Sequence, residues 1–155
     1  MLDIGFGTAT LAAKLYEHGL KIYGQDFSEI MIAVAKEKMP EAKLYRGDFS
    51  KGLVEELKQN KYDAMIATYS LHHLTDEEKI SLIEHLLPLL KEGGHLYIGD
   101  VAFETRAELE FCRNQIGDEW DDEEIYFVVE EIRKAFPQMK FEKFSFCSGL
   151  LSLRL

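Results

Sequence analysis

Two periodicities alternate along this chain. Short apolar runs predict buried strands, and stretches with apolar residues three and four apart predict helices. Residues 1–4 read as the end of a first strand. Leu11, Ala12 and Leu15 mark one face of a helix over Ala9 to His18, which Gly19 stops. Leu20 to Gly24 predicts a second strand. Ser28 is placed as N-cap of a helix reaching Met39, closed by Pro40. Ala42 to Arg46 predicts a third strand, Lys51 to Asn60 a solvated helix and Tyr62 to Thr68 a fourth strand. Thr75-Asp76-Glu77-Glu78 spells a capping box. The helix it opens runs toward Lys91, with Leu82, Ile83, Leu86, Leu87 and Leu90 as its buried stripe and Pro88 as a kink. Lys91 to Gly94 stops it, and His95 to Gly99 predicts a fifth strand ending at Asp100.

Beyond Phe103 the pattern changes. Residues 103–136 predict two helical stretches around an acidic patch, Gly117 to Glu124. Lys140 to Cys147 then alternates polar and apolar, with Phe141, Phe144 and Phe146 as strand-like positions. Ser148-Gly149 reads as a turn, and Leu150 to Leu155 as a last strand. The fold class that follows is α/β, a doubly wound, mostly parallel, Rossmann-like sheet with right-handed crossovers and a C-terminal antiparallel hairpin. A chain of 155 residues suits one domain over 1–155, with 103–136 as a substrate-side insertion. Met1 falls inside the first strand, which predicts a chain lacking an N-terminal segment.

Composition narrows the class. An apolar content of 46% with 30% charged residues is globular. A formal net charge of −10 argues against nucleic-acid and anionic-membrane partners, whose phosphates need a basic face. No signal peptide or membrane-length apolar run is visible. Cys112 and Cys147 follow no pattern and read as reduced thiols of a cytoplasmic protein.

The candidate chemistry gathers at strand ends. Leu2-Asp3-Ile4-Gly5-Phe6-Gly7-Thr8-Ala9-Thr10 reads as strand, glycine turn and helix start, with a hydroxyl cap from Thr8 or Thr10. Its spacing departs from the dinucleotide fingerprint at Thr10. Asp26 lies about twenty residues beyond the turn, where an acidic residue meets ribose hydroxyls in nucleoside-binding α/β folds. By itself it reads more readily as a turn or helix starter; coupled to the glycine turn, the ribose reading is preferred. Asp48 and Phe49 follow the third strand and read either as ligand contacts or as a loop residue and a core residue. For His72 and His73 the simplest reading is one packed and one solvated ring. Adjacent side chains diverge, so no metal site is expected there. The acidic patch reads as a solvated loop, with Trp120, Tyr126 or Phe127 as a possible apolar wall toward substrate.

Three stretches carry a family resemblance. Asp3, Gly5 and Gly7 match the D/E-x-G-x-G-x-G motif, with Ala9 at the third glycine. Y-D-A-M-I-A-T-Y-S-L-H-H-L over residues 62–74 and L-L-P-L-L-K-E-G-G-H-L-Y-I-G-D over residues 86–100 complete it. Together they resemble the small bacterial members of the class I S-adenosylmethionine-dependent methyltransferases. The resemblance implies strand order 3-2-1-4-5-7-6 and S-adenosylmethionine as cofactor. It places the methionine part at Asp3, Gly5 and Gly7, the ribose at Asp26 and the adenine at Asp48. Phe27, Phe49 and Thr68 join the cofactor set. In-line attack by a small-molecule nucleophile on the sulfonium methyl is the implied reaction, with His73 or Tyr69 as base for a protonated acceptor. A non-catalytic binder of the same cofactor, or an inactive fragment, is the alternative. A nicotinamide oxidoreductase is disfavoured by Thr10 and by the hairpin.

Overall fold

In the computed structural model, which describes residues 1–155, strand β1 (Leu2–Ile4) lies at the centre of the sheet. All three of its residues are buried. It pairs in parallel with β2 (Tyr23–Asp26) on one side and with β4 (Tyr62–Thr68) on the other. Asp3 stands opposite Gly24 and Ile66. β3 (Lys43–Arg46) extends the sheet beyond β2, and β5 (Leu90–Phe103) lies beyond β4. The antiparallel hairpin of β7 (Lys140–Lys143) and β8 (Ser148–Arg154) closes the far side through β8.

The path is β3-β2-β1-β4-β5-β8-β7. It is the expected order with one addition. A two-residue strand β6 (Phe127–Val128) pairs with the end of β5 off the main path, which moves the hairpin strands to seventh and eighth place. The sheet thus has eight strands and not seven.

Helices α1 (Thr10–Glu17), α2 (Glu29–Lys38), α3 (Glu55–Lys58) and α4 (Asp76–Leu86) supply the crossovers. Local chemistry accounts for their ends. Gly19 takes φ +87, and the Gly19 and Leu20 N–H groups donate to the carbonyls of Tyr16 and Leu15 at 2.9 and 3.2 Å. That is a Schellman stop. The Met31 N–H donates to Ser28 Oγ, and Thr75 and Glu78 form both halves of the capping box. The main core packs between the sheet and its helices around Leu2, Ile4, Met65, Ile83 and Leu96. A second cluster around Phe6, Ala12 and Ile32 lies under α1 and α2.

Several expectations change. Neither Thr8 nor Thr10 caps α1; their hydroxyls face each other at 3.2 Å, and the N-cap is Ala9 at φ 55. The second strand starts at Tyr23, later than expected. The helix expected over Lys51 to Asn60 is interrupted because Gly52 takes φ +94, which leaves a 3₁₀ turn (Phe49–Lys51) and the short α3. Pro88 ends α4 in a 3₁₀ turn over Leu87–Leu89, and β5 continues through Lys91 to Gly94 across a bulge opposite β4. In the tail, Phe144 and Phe146 are exposed on the hairpin turn, while Ser148-Gly149 lies inside β8.

The segment after β5 holds α5 (Arg106–Ile116), β6 and α6 (Val129–Ile132). Phe127 is fully buried in the main core, so it forms no wall toward a substrate. Trp120 and Tyr126 meet edge to face at 5.0 Å and pack against Phe103. No helix is long and apolar enough to cross a membrane.

Candidate functional site

The carboxyl ends of β1, β2, β4 and β5 converge on one edge of the sheet. The turn after β1 is shaped by two glycines, Gly5 at φ +68 and Gly7 at φ +50. These left-handed angles are costly for any residue with a Cβ. Gly7 has open space where a side chain would be. The Gly7 N–H donates to Asp26 Oδ2 at 2.8 Å, and the Ser28 N–H donates to Asp26 Oδ1 at 2.9 Å. Asp26 therefore ties the glycine turn to the end of β2. Each of its oxygens keeps a further lone pair.

Asp3 is the anomalous group. It is 2% exposed, and its Oδ1 has no hydrogen-bond partner. Burial, and then the neighbouring Asp26 carboxylate, push Asp3 up to about 7. Across from it, Ser70 Oγ donates to the Ile4 carbonyl at 2.9 Å and braces the turn. Tyr69, like Ala9, is a non-glycine residue at positive φ. It takes φ 49 at the end of β4, and its side chain is exposed.

Asp100, buried in β5 next to Gly99, which pairs with Thr68 at the end of β4, accepts from the Leu71 N–H at 3.1 Å and the Val101 N–H at 2.8 Å. His72 Nδ1 is 2.7 Å from Asp100 Oδ1, and this hydrogen bond raises the His72 pKa above its ordinary value. On the other side of the ring, Nε2 lies 3.1 Å from Glu124 Oε2. His73 is solvated, with Nδ1 3.4 Å from Glu124 Oε1.

Two open concavities line this edge. One, of ≈ 520 Å³, is bordered by Asp3, Gly5, Gly7, Thr68 and Tyr69. The other, of ≈ 330 Å³, is bordered by Phe27, Asp48, Phe49 and His73. Every residue anticipated for the site except Asp26 borders one of them, and Asp26 braces the turn between strands. Tyr69 and His73 border different concavities. Asp48 is exposed, and its carboxylate accepts from Ser50 Oγ at 2.6 Å and faces Lys51 at 3.1 Å, which lower its pKa. Phe49 is buried in the main core, with its edge toward the turn at Gly5. A further hollow of ≈ 290 Å³ adjoins the second concavity at Phe49 and Ser50 and lies between that 3₁₀ turn and α4.

Sequence reasoning missed Ser70, Glu124 and Lys79. Glu124 was one acid among many in its patch. Lys79 occupies a helix position that reads as solvated, yet it is fully buried. Its Nζ donates to Asp76 Oδ1 at 3.0 Å and to the Ile125 carbonyl at 2.5 Å. Asp100, polar in an apolar strand, was noted only as the end of the fifth strand, and β5 runs on to Phe103.

Comparison with known proteins places this edge in context. A structure of magnesium protoporphyrin IX methyltransferase from Synechocystis, with bound S-adenosylhomocysteine, superposes at a TM-score of 0.73 with 24% identity, covering 99% of this chain and 72% of that one. An S-adenosylmethionine-dependent methyltransferase from Clostridium acetobutylicum superposes at 0.77 with 16% identity, covering 99% and 82%. Those likenesses establish the fold. An uncharacterized methyltransferase of Anoxybacillus flavithermus is 37% identical over 110 residues, 71% of this chain and 50% of the relative. One from Oceanobacillus iheyensis is 30% identical over 149 residues, 91% and 68%. The chain spans about half the length of several curated relatives it matches. A family model described as a methyltransferase domain matches residues 2–96, which include the glycine turn, Asp26, Asp48 and both histidines. The chain belongs to this methyltransferase domain family.

Proposed function

We propose that this chain binds S-adenosylmethionine along the carboxyl edge of its sheet and serves an enzyme that methylates a small-molecule nucleophile. The observation that carries the reading is Asp3, whose buried carboxylate oxygen lacks a partner beside the open glycine turn. An unpartnered buried acceptor costs stability unless a ligand supplies a donor. A cationic ammonium group is the donor that suits a carboxylate held in low dielectric. The neighbour from Synechocystis solved with S-adenosylhomocysteine supports the same cofactor.

In this reading Gly5 and Gly7 leave the turn bare enough for the methionine part to lie against it. Asp26 meets the ribose hydroxyls with its remaining lone pairs. Asp48 meets the adenine amine, with Phe27 and Phe49 beside the ring. Thr68 borders the first concavity between them and the acceptor. When bound, S-adenosylmethionine supplies a methyl group activated by its sulfonium centre. The protein contributes orientation and exclusion of water. Tyr69 or His73 accepts a proton if the acceptor arrives protonated. Residues 103–136 are the candidate acceptor-side segment. The net charge of −10 favours a small molecule over nucleic acid as acceptor. The free cysteines fit a cytoplasmic setting.

Calorimetry with S-adenosylmethionine and S-adenosylhomocysteine tests this. Both should bind, and Asp26→Ala should weaken binding by about 1 kcal/mol or more. Absence of binding in this chain, and also in the chain extended to the length of its relatives, would reject the cofactor.

A further inference from the structure

The two histidines after β4 form a second constellation beside the edge proposed for methyl transfer. They sit on a 3₁₀ turn (Leu71–His73), where consecutive side chains point apart. Glu124, from the acidic segment fifty residues on, brings them together. Its oxygens lie 3.1 Å from His72 Nε2 and 3.4 Å from His73 Nδ1. One ligand atom from each of the three residues falls within 4.8 Å of the others.

The approach of Glu124 is fixed by its neighbours. The Ile125 N–H donates to the His72 carbonyl at 2.8 Å, and the buried Lys79 Nζ donates to the Ile125 carbonyl at 2.5 Å. The orientation of His72 is fixed too. Asp100 Oδ1, an acceptor, lies 2.7 Å from Nδ1 and holds the ring proton there. In the neutral ring Nε2 then carries a lone pair. It faces Glu124 Oε2, a buried oxygen without a hydrogen-bond partner. Two lone pairs at that distance repel unless a proton or a cation stands between them. A proton on His72 Nε2 and another on His73 Nδ1 would satisfy the two contacts one by one. A divalent ion satisfies both.

We propose that His72, His73 and Glu124 bind one first-row divalent cation, with zinc as the ion that fits best. Two imidazole nitrogens and a carboxylate form a three-ligand set that leaves a fourth position open. Nitrogen-rich donors select against magnesium and calcium, which take oxygen ligands. Ligands about 2.1 Å from a tetrahedral ion stand about 3.4 Å apart; the two Glu124 contacts, made through different oxygens, are close to this, and one atom from each residue lies within 4.8 Å of the others, so the side chains close in on the ion by torsion. The Asp100–His72 hydrogen bond is the carboxylate support that metal-bound histidines use to fix their tautomer. His73 provides the entry, because its side chain is 58% exposed. An ion held here ties the acidic segment to the end of β4, at the rim of the concavity shared by Phe27, Asp48 and His73. It also engages His73 Nδ1, so His73 then serves as a ligand and Tyr69 remains as the group for proton transfer. The site does not depend on the cofactor reading.

Zinc titration of the chelator-treated full chain, in competition with a chromophoric chelator, tests the proposal. Cobalt substitution gives an optical check of ligand geometry. The expected result is one zinc per chain and a visible cobalt spectrum of tetrahedral intensity. Glu124→Gln and His73→Ala should each weaken zinc at least about tenfold, with His85→Ala unchanged. Exposed His73 can be replaced without a folding penalty, so that variant decides the matter if Glu124→Gln fails to fold. No stoichiometric uptake, or uptake that survives His73→Ala, overturns the site.

Discussion

The α-carbon of Gly5 rests against the side chain of Ser70, so closely that a methyl group on it would stand 2.5 Å from Ser70 Cβ. Ser70 in turn bonds the carbonyl of Ile4, just before the turn. The end of β4 and the glycine turn therefore fit only because one of them lacks a side chain.

This contact separates the two glycines. Gly7→Ala meets open space and bears only the left-handed backbone cost, about 1–2 kcal/mol. Gly5→Ala bears that cost and the clash, so its loss should be larger by at least about 1 kcal/mol. Adding Ser70→Gly should recover part of the difference. Urea midpoints of the four proteins check this, and equal costs for the two glycines would refute it.

Asp3 makes stability depend on pH. Its folded pKa, about 7, lies above the ordinary carboxylate value of 3.8. An unfolded chain gives up this proton near pH 4, while the folded protein retains it until about pH 7. The protonated carboxyl therefore favours the fold below pH 4, and that advantage is lost as pH rises to 7. Asp3→Asn removes the dependence. Its stability relative to wild type should rise by up to about 4 kcal/mol between pH 4 and pH 7. A flat difference across this range in denaturant titrations would contradict the assignment.

In the proposed reading the same group couples to the cofactor. A cationic ligand favours ionised Asp3, so S-adenosylmethionine should gain affinity for wild type, relative to Asp3→Asn, as pH rises from about 6 to about 8. Calorimetry on both proteins at the two pH values measures this. A constant ratio would mean that Asp3 does not face the ligand's charge.

Asp100 is a structural anchor. Asp100→Ala strands the Leu71 and Val101 N–H groups and removes the support of His72. A loss of about 2–5 kcal/mol is expected, read as a fall in thermal midpoint. Asp100→Asn keeps acceptor oxygen and should lose less. Equal losses for the two would place the effect elsewhere.

Lys79 holds the acidic segment in place. Replacing its buried ammonium by an apolar group of similar length, Lys79→Met, removes the bond to the Ile125 carbonyl. Amide exchange at Ile125 to Val128 should accelerate while β4 stays protected. Unchanged exchange in that segment would show that other contacts hold it.

Much of the fold is legible because its signals are local. Tyr62–Thr68 is a strand with its expected bounds, and the Thr75–Glu78 capping box forms as spelled. Gly19 stops α1 through bonds to residues only three to five positions away. The failures are where a nearby residue overrode a sound period. Gly52 broke the helix expected over Lys51 to Asn60, and Ser148-Gly149 entered β8, where Gly149 packs against the Phe141 ring.

The sequence by itself determined the alternation of strands and helices, the glycine turn and the acids at the ends of β1, β2 and β3. Each of these depends on backbone preferences and side chains a few residues apart. Tertiary structure alone decided that Gly5 meets Ser70, that His72 lies between Asp100 and Glu124, and that Lys79 is buried under Ile125. Those partners are brought together by sheet order across dozens of residues. Whether a carboxylate is solvated or buried without a partner follows from that packing, and neither periodicity nor spacing encodes it.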